Sequence, residues 1–332
     1  MRAAFPHPVD LLRRIRTARR VSRRFARYLG LTTRCRSRNY TGAVIEWDDG
    51  LLEELDKEFV ELHLNEPELV EDMSWGLVDT KVLRVRSARD DFVVKTADLG
   101  NHHIGREITA HESFTAPLVR IGRTSRLIAA DRAQSILITS FQQGDLMQGT
   151  SHELDYDLHV QAGATLCALH EQNARVDVDY ERRATEKTLA TLDRRHRIDP
   201  RVESVARRLL ARYEPKPITV VPTHGDWQPR NWLVNDGQLC VIDFGRFDYR
   251  PAATDLCRLA VQQWATSSVL EAAFLEGYGS DPRDTDVWLM NLLREAIGTA
   301  VWAFGVGDEA FESQGHWMLE QALLRYEQAA AL

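Results

Sequence analysis

The sequence predicts an α+β fold in which a strand-rich half precedes a mainly helical half. Two alternating or apolar runs, 81–85 and 91–95, are separated by polar residues, as in a β-hairpin. In the second half, apolar residues recur every three or four positions over 154–169, which predicts a long core helix. Two further helices are predicted over 284–304 and 317–330. Strands followed by helices are typical of the α+β class.

Length and composition agree with a globular protein. A chain of 332 residues suits two domains or one bilobal unit, and 44% hydrophobic residues is ordinary for a packed core. The longest apolar runs are far shorter than the roughly 20 residues that cross a bilayer, so no stable membrane insertion is expected. The four cysteines show no C-x-x-C pairing, which is typical of reduced thiols. A cytoplasmic location is therefore predicted.

The charge is distributed unevenly along the chain. Residues 1–38 contain 12 arginines and a single acid, Asp10. Such a segment could bind an anionic membrane or nucleic acid, could be an address sequence, or could be upstream sequence included by an early start codon. We predict that residues 1–40 are a disordered tail or a loose helix, and we expect no nucleic-acid partner.

The most informative part of the chain is a pair of motifs in its second half. Residues 224–231 read His-Gly-Asp-Trp-Gln-Pro-Arg-Asn, and residues 241–246 read Val-Ile-Asp-Phe-Gly-Arg. The short apolar run before the second motif predicts a buried strand, and the Asn-Asp-Gly that precedes this run predicts a hairpin turn. Asp243 is therefore expected at a strand end, facing the loop that carries Asp226 and Asn231.

These residue types suit phosphoryl transfer. That reaction needs a carboxylate that orients the attacking hydroxyl or accepts its proton, and hard oxygen ligands that hold Mg²⁺ across the phosphates. Asp226 and Asn231 have the spacing of the H-R-D-L-x-x-x-N loop of protein kinases, and residues 243–245 match their D-F-G. Each motif alone is common by chance, but the two together, in this order and at this separation, strongly indicate phosphoryl transfer. Asp226 is the candidate catalytic residue, and Asn231 and Asp243 are the candidate metal ligands.

At these motifs the chain resembles the aminoglycoside phosphotransferase and choline kinase family, the small-molecule branch of the protein-kinase-like fold. That family reads H-G-D-x-x-x-x-N and then I-D-x-G/E, and Gly225 in place of an arginine favours this branch. The resemblance covers roughly 55–325, with the sharp matches confined to 224–255. It implies a bilobal fold, with an antiparallel-sheet nucleotide-binding lobe over 41–141 and a mainly helical catalytic and acceptor-binding lobe over 142–332.

The resemblance also implies supporting residues. Lys95, in a Val-Val-Lys setting, is similar to the kinase strand lysine that contacts the α- and β-phosphates. Glu107 would be its ion-pair partner, with Glu112 as the second candidate. Asp255 is similar to the buried aspartate that braces the catalytic loop, although an acid at a helix start could equally serve the helix dipole. His224 is expected to be a structural histidine bonded to nearby backbone.

Two segments complete the implied nucleotide site. Residues 135–145 look like the last strand and the hinge between lobes, where adenine would bond to the main chain. Residues 73–80 stand where protein kinases carry a glycine-rich loop over the phosphates, but they offer only Gly76. No phosphate-loop residue is therefore assigned. The implied cofactors are ATP, or GTP, and Mg²⁺.

Two histidines and two tryptophans have competing interpretations. His102 and His103 could suggest a metal pair, but no third ligand is apparent, so a solvated loop is expected. Trp227 and Trp302 could line an acceptor site, and simple core packing is an equal alternative for either.

Three functions fit the motifs: a kinase for a hydroxyl of a small molecule, a catalytically silent nucleotide-binding module, and a protein kinase. The presence of every expected catalytic and metal residue argues against a silent module. Arg250 follows Asp243 by only seven positions, which leaves no room for a long peptide-docking segment. A small-molecule kinase is therefore favoured over a protein kinase.

Charge suggests the acceptor class. Without residues 1–38 the chain has 30 basic and 48 acidic residues, a net charge of −18. Acids are dense in the last helical part: Asp281, Asp284, Asp286, Glu295, Asp308, Glu309 and Glu312. Because an acidic cleft concentrates cations, the sequence favours a cationic, aminoglycoside-like or amino-sugar acceptor over a neutral metabolite. The alternative is that these acids form a solvated helix surface.

Overall fold

The computed structural model describes residues 46–330, apart from the side chains of residues 285, 286 and 330, and the described residues from Trp47 onwards belong to one compact unit. The predicted arginine-rich tail, 1–40, lies outside the described residues. The strands are β1 Glu68–Asp72, β2 Lys81–Ser87, β3 Asp90–Thr96, β4 Leu127–Asp131, β5 Ile136–Ser140, β6 Asp145–Leu146, β7 Arg175–Asp177, β8 Ile218–Thr223, β9 Trp232–Asn235, β10 Gln238–Val241 and β11 Asp248–Arg250. The helices are α1 Glu54–His63, α2 His102–Ser113, α3 Ala116–Arg120, α4 Tyr156–His170, α5 Tyr180–Leu192, α6 Pro200–Arg212, α7 Cys257–Val261, α8 Gln263–Thr266, α9 Ser268–Tyr278, α10 Thr285–Val306 and α11 Glu309–Ala330, with 3₁₀ turns Ser151–Leu154, Pro229–Asn231 and Ala252–Leu256.

The first part of the described chain is built on a five-stranded antiparallel sheet. Its strand order is β1-β2-β3-β5-β4, and β2 and β3 form the hairpin that the sequence predicts. Since side chains alternate between the faces of a strand, Val94 points to one face and Lys95 to the other. On the first face, Val94 packs with Leu83, Val85 and Val60 of α1 in a hydrophobic cluster. The opposite face is thereby free to carry the Lys95 ammonium group.

The second part is mainly helical, and a single large hydrophobic core holds it together. The most extensive packing between helices joins α10 to α11 and α4 to α9. The helices α4 and α9 pack so closely at Gly163 that a Cβ atom there would lie 2.0 Å from the carbonyl oxygen of Phe274. None of the helices within 46–330 has the length and apolarity that a membrane crossing requires.

The predicted helices over 154–169 and 284–304 are confirmed as α4 and α10. The last helix begins earlier than the predicted residue 317, at Glu309. Asp308 explains the difference, because its side chain accepts a hydrogen bond from the backbone N–H of Phe311 and caps the helix. Residues 309–316 lack a clear apolar period, so their sequence pattern did not indicate the extra helical turns.

The expectation of a solvated loop at His102 and His103 is wrong. These residues form the first turn of α2, because the side chain of Asn101 accepts a hydrogen bond from the backbone N–H of His103 at 2.9 Å. The Nδ1 atom of His103 donates to the carbonyl oxygen of Gly245 at 2.8 Å. The start of α2 is thereby attached to the segment that follows Asp243.

The two motifs are placed by short strands. The hairpin β9-β10 closes through Asp236 and Gly237, whose φ values of +49° and +73° match the tight turn that Asn-Asp-Gly predicts. Residues 224–231 connect β8 to β9, and Asp243 follows β10. Because β9 and β10 are adjacent and antiparallel, the end of β10 returns to the loop that precedes β9.

Candidate active site

The loop over 224–231 makes a sharp turn that only glycine fits at its second position. Gly225 has φ +82°, and a Cβ atom there would lie 2.2 Å from the carbonyl oxygen of Arg246 and 2.3 Å from the Nη1 atom of Arg250. Side chains of L-residues rarely adopt this backbone conformation. The structure thus gives a steric reason for a glycine where protein kinases have an arginine.

Asp255 holds the start of this loop. Its two carboxylate oxygens accept hydrogen bonds from the backbone N–H groups of His224 and Gly225, at 2.8 and 2.6 Å, and His170 Nε2 lies 3.1 Å from Oδ2. Burial alone would raise the pKa of Asp255, but the hydrogen bond and charge of His170 outweigh this effect, so the pKa is lowered below its usual value. The carboxylate is directed at the loop rather than at the N–H groups of its own helical turn.

His224 has the backbone contacts that were expected. Its Nε2 atom donates to the carbonyl oxygen of Ile242 at 3.1 Å, and its Nδ1 atom accepts from the backbone N–H of Asp226 at 3.3 Å. Burial lowers the pKa of His224, so the neutral ring is favoured. This ring therefore ties the end of β10 to the loop.

Lys95 joins the five-stranded sheet to Asp243. The Nζ atom of Lys95 lies 2.8 and 3.0 Å from the carboxylate oxygens of Glu107 in α2, and 3.4 Å from Asp243 Oδ1. Burial alone would lower the pKa of Lys95, but the negative charges of Asp243 and Glu107 outweigh this effect, so the pKa is raised above its usual value. Glu112, the second candidate partner, pairs with Arg132 instead.

Asp243 and Asn231 carry the oxygens that would suit a metal ion. Asp243 has φ +69°, a strained conformation of the kind that clusters at functional sites, and its side chain is 49% exposed. Lys95 holds the pKa of Asp243 below its usual range. The side-chain amide of Asn231 donates to the backbone oxygen of Asp226 at 2.8 Å and to its Oδ2 at 2.9 Å.

The chemistry of these donors fits Mg²⁺, which takes oxygen ligands and is usually held by one or two carboxylates together with phosphates and water. No cluster of three or more His, Cys, Asp or Glu side chains that could hold a metal by itself occurs within residues 46–330. His102 and His103 therefore have no third ligand in this part of the chain. A metal held jointly with nucleotide phosphates is the arrangement that the donor set favours.

Asp226 is buried and contacted by three arginines, which the sequence analysis did not single out. Arg230 Nε lies 3.0 Å from Oδ2, and Arg258 Nε and Arg246 Nη1 lie 3.1 and 3.8 Å from Oδ1. Gln228 donates to Oδ1 at 2.6 Å. Burial would raise the pKa of Asp226, but the three arginines hold it well below its usual range. The carboxylate therefore stays ionised.

Comparison with known proteins agrees with this geometry. Residues 71–288 match the family described as the phosphotransferase enzyme family. The chain belongs to the phosphotransferase enzyme family. A comparison with curated proteins found no match.

Solved structures similar to this phosphotransferase are distant in sequence. The choline kinase LicA from Streptococcus pneumoniae is 16% identical with a TM-score of 0.59, over 82% of this chain and 99% of that one. The macrolide 2'-phosphotransferase MphH from Brachybacterium faecium is 17% identical with a TM-score of 0.53, over 79% of this chain and 96% of that one. The spectinomycin phosphotransferase APH(9)-Ia is 13% identical with a TM-score of 0.52, over 80% of this chain and 96% of that one. At these identities the likeness establishes the fold, and the predicted protein-kinase-like α+β fold is confirmed.

The two tryptophans of this phosphotransferase lie in different surroundings. Trp227 is fully buried in the main core, so core packing is the correct interpretation for it. Trp302 of α10 is 41% exposed, and its ring stacks on Trp75 with a centroid separation of 5.9 Å. Trp75 belongs to the segment between β1 and β2, which stands where protein kinases carry a glycine-rich loop. That segment therefore reaches α10 through an aromatic contact.

Three of the seven acids that suggested a cationic acceptor form ion pairs with arginines. Ion pairs join Asp281 to Arg283, Glu295 to Arg258 and Glu312 to Arg197. The side chain of Asp308 caps α11. Because paired carboxylates attract a cation much less strongly, these three acids give little support to a cationic acceptor. Composition alone did not reveal the pairing, since the partner arginines are up to 115 residues away along the chain.

Proposed function

We propose that this phosphotransferase transfers the γ-phosphate of ATP, or of GTP, to a hydroxyl group of a small molecule. The observation that carries the proposal is the chain of contacts from Glu107 through Lys95 to Asp243, next to Asp226 and Asn231. This arrangement brings three kinds of group together: the Lys95 ammonium, which suits phosphates, the oxygens of Asn231 and Asp243, which suit Mg²⁺, and the Asp226 carboxylate, which suits a hydroxyl. Such an arrangement has little use in a protein that only binds nucleotide.

The nucleotide assignment has support from similar structures. The spectinomycin phosphotransferase APH(9)-Ia was solved with ADP and spectinomycin, and an aminoglycoside 2'-phosphotransferase-IIIa with GDP. In the present chain, Lys95 would bind the phosphates, and Glu107 would hold the ammonium group in position. Asn231 and Asp243 would hold Mg²⁺, which would supply positive charge against the phosphates.

The reaction then follows from Asp226. The acceptor hydroxyl oxygen forms a bond to the γ-phosphorus while the bond from that phosphorus to the β–γ bridging oxygen breaks, and ADP leaves. Asp226 accepts a hydrogen bond from the attacking hydroxyl and takes its proton as the new bond forms. Because its pKa is held low, Asp226 is a weak base before the reaction, and its first contribution is to orient the hydroxyl.

The test is release of ADP or GDP by the purified protein against a panel of hydroxylated small molecules. We expect release that depends on both Mg²⁺ and one class of acceptor, with a phosphate monoester as the product. Nucleotide binding without transfer to any acceptor would contradict the proposal and favour a silent nucleotide-binding module. Transfer to a protein but to no small molecule would favour a protein kinase.

The acceptor class is a finer question. The sequence favoured a cationic, aminoglycoside-like or amino-sugar compound, with a neutral metabolite as the alternative. Since three of the acids behind that expectation are paired with arginines, the proposed function includes only a hydroxyl-bearing small molecule. Both classes belong in the panel.

A further inference from the structure

The arginines around Asp226 form a cluster with more positive than negative charge. We define the arginine cluster as Arg230, Arg246 and Arg258. Arg246 Nη2 and Arg258 Nη2 also lie 3.4 and 2.6 Å from Oε1 of Glu295 in α10. Three guanidinium groups therefore share two carboxylates, Asp226 and Glu295. One positive charge in the cluster is not balanced by these partners.

The cluster also keeps a hydrogen-bond donor without a partner. The side chain of Arg258 is only 4% exposed, and neither its Nη1 nor its Nε atom has a hydrogen-bond partner among the described residues, although Nε lies 3.1 Å from Asp226 Oδ1. A buried donor left unpaired is costly, so such atoms commonly mark a site that a ligand or a bound water completes. Arg230 and Arg246 are each about one third exposed, which leaves them accessible from solvent.

The contacts of Asp226 in this structure conflict with its proposed task. Its Oδ1 atom is contacted by Gln228 and Arg258, and its Oδ2 atom by Arg230 and Asn231. A hydroxyl can bond to Oδ2 only if Arg230 or Asn231 gives up its hydrogen bond there. Arg230 is the donor better able to move, because its side chain is partly exposed whereas Asn231 is buried.

We propose that the acceptor carries an anionic group, a carboxylate or a phosphate, close to the reacting hydroxyl, and that Arg230 and Arg246 bind it. This inference rests on the proposed small-molecule kinase function. Arginine suits the task because its planar donors match two oxygens of a carboxylate or phosphate. Binding of the anion draws Arg230 away from Asp226 and frees Oδ2 for the hydroxyl.

A cationic acceptor fits the same place poorly. The aromatic ring of Phe311 could in principle bind a cation, but the guanidinium carbons of Arg230 and Arg258 already lie 5.2 and 5.0 Å from its centre. An incoming ammonium group would meet these two cations beside an already paired Glu295. The local charge therefore opposes the acceptor class that net composition favoured.

The experiment compares acceptors that share a carbon skeleton and differ only in one charged group. Glucuronate, glucose and 6-amino-6-deoxyglucose form one such series, in which the group at C6 is an acid, a neutral alcohol or an amine, and each compound active in the wider panel is tested with its acid, neutral and amine analogues. We expect kcat/KM for the acid to exceed that for its neutral and amine analogues by about 10-fold or more, as suits hydrogen bonds to a charged group. Highest kcat/KM with the amine or the neutral compound would overturn the proposal.

Arginine variants then show where the preference arises. In Arg246→Gln and Arg230→Gln, the ratio of kcat/KM for acid to neutral acceptor should fall to within about 3-fold of one, mainly through a higher KM for the acid. The matched control is Arg283→Gln, whose arginine pairs with Asp281 and Glu271 away from Asp226 and should leave the ratio unchanged. An equal loss for all three acceptors with a raised KM for ATP would mean that the arginines bind the γ-phosphate, and would overturn the proposal.

The two proposals fail in different ways. If no acceptor of any charge supports release of ADP or GDP, the small-molecule kinase function itself is wrong. If release occurs and the acid is not preferred, the kinase function stands and only the anionic acceptor is rejected.

Discussion

The role of Asp255 gives a prediction whose size can be worked from its contacts. In Asp255→Asn the shape of the side chain is kept, but one oxygen becomes an NH₂ group and the charge is lost. Both oxygens accept backbone hydrogen bonds, from His224 at 2.8 Å and from Gly225 at 2.6 Å, and the side chain is fully buried. One of these N–H groups must therefore face another donor. A lost hydrogen bond to a charged group costs about 1.5–3 kcal/mol and an unpaired buried donor about 1–3 kcal/mol, so we expect a loss of roughly 2.5–6 kcal/mol.

Urea unfolding of the wild type and of Asp255→Asn measures this loss as a lower midpoint concentration. The matched control is Asp281→Asn, which removes the same charge from a half-exposed ion pair with Arg283. Such surface pairs contribute about 0–1 kcal/mol. If Asp255→Asn unfolds at the same urea concentration as Asp281→Asn, the carboxylate does not brace the loop.

The pH dependence of the same pair of proteins has a definite sign. The pKa of Asp255 is lowered in the folded state, so its ionised form stabilises the fold above the unfolded pKa of about 3.9. That contribution is lost as the pH falls through the lowered folded pKa. The difference in unfolding midpoint between the wild type and Asp255→Asn should be constant at neutral pH and shrink only in acid. A difference that shrinks between pH 8 and pH 6 would contradict the assignment.

Other substitutions probe the nucleotide side and the loop. Asp243→Ala should raise the Mg²⁺ concentration needed for half-maximal activity, and an unchanged metal requirement would argue against a ligand role. Lys95→Ala should weaken ATP binding, measured by calorimetry, and Glu107→Ala should reproduce part of that defect through the lost ion pair; normal affinity in both would reject the phosphate-binding role. Gly225→Ala should reduce the free energy of unfolding by at least about 1–3 kcal/mol and so lower the urea midpoint, because its Cβ would lie 2.2 Å from a carbonyl oxygen. Wild-type stability of this variant would show that the loop relaxes.

The features that the sequence predicted well depend on local order. The Asn-Asp-Gly turn specifies the hairpin before Asp243, and the alternation around Lys95 specifies its strand and its face. Each of these signals lies within a few residues of the side chain that it positions. The pairing of Lys95 with Glu107 rather than Glu112 follows less directly, since it depends on how α2 lies against the sheet.

The arginine cluster shows what local patterns do not contain. Arg230 and Arg246 lie within the two motifs, but Arg258 follows them by more than ten residues and reaches Asp226 only through the packing of α7. Glu295 comes from another helix still further along the chain. Net charge treated these groups as independent, whereas the fold pairs them. An inference about a binding surface therefore needs the ion pairs as well as the composition.

The roles of the catalytic loop are tested most directly by Asp226→Asn. This change keeps the shape of the side chain and removes the carboxylate that orients the hydroxyl, so turnover should fall by on the order of 100-fold or more. ATP affinity, measured on the same sample, should hardly change, which also shows that the site is still folded without the charge that three arginines contact. A variant that binds ATP normally and keeps near-normal transfer to its acceptor would contradict the account.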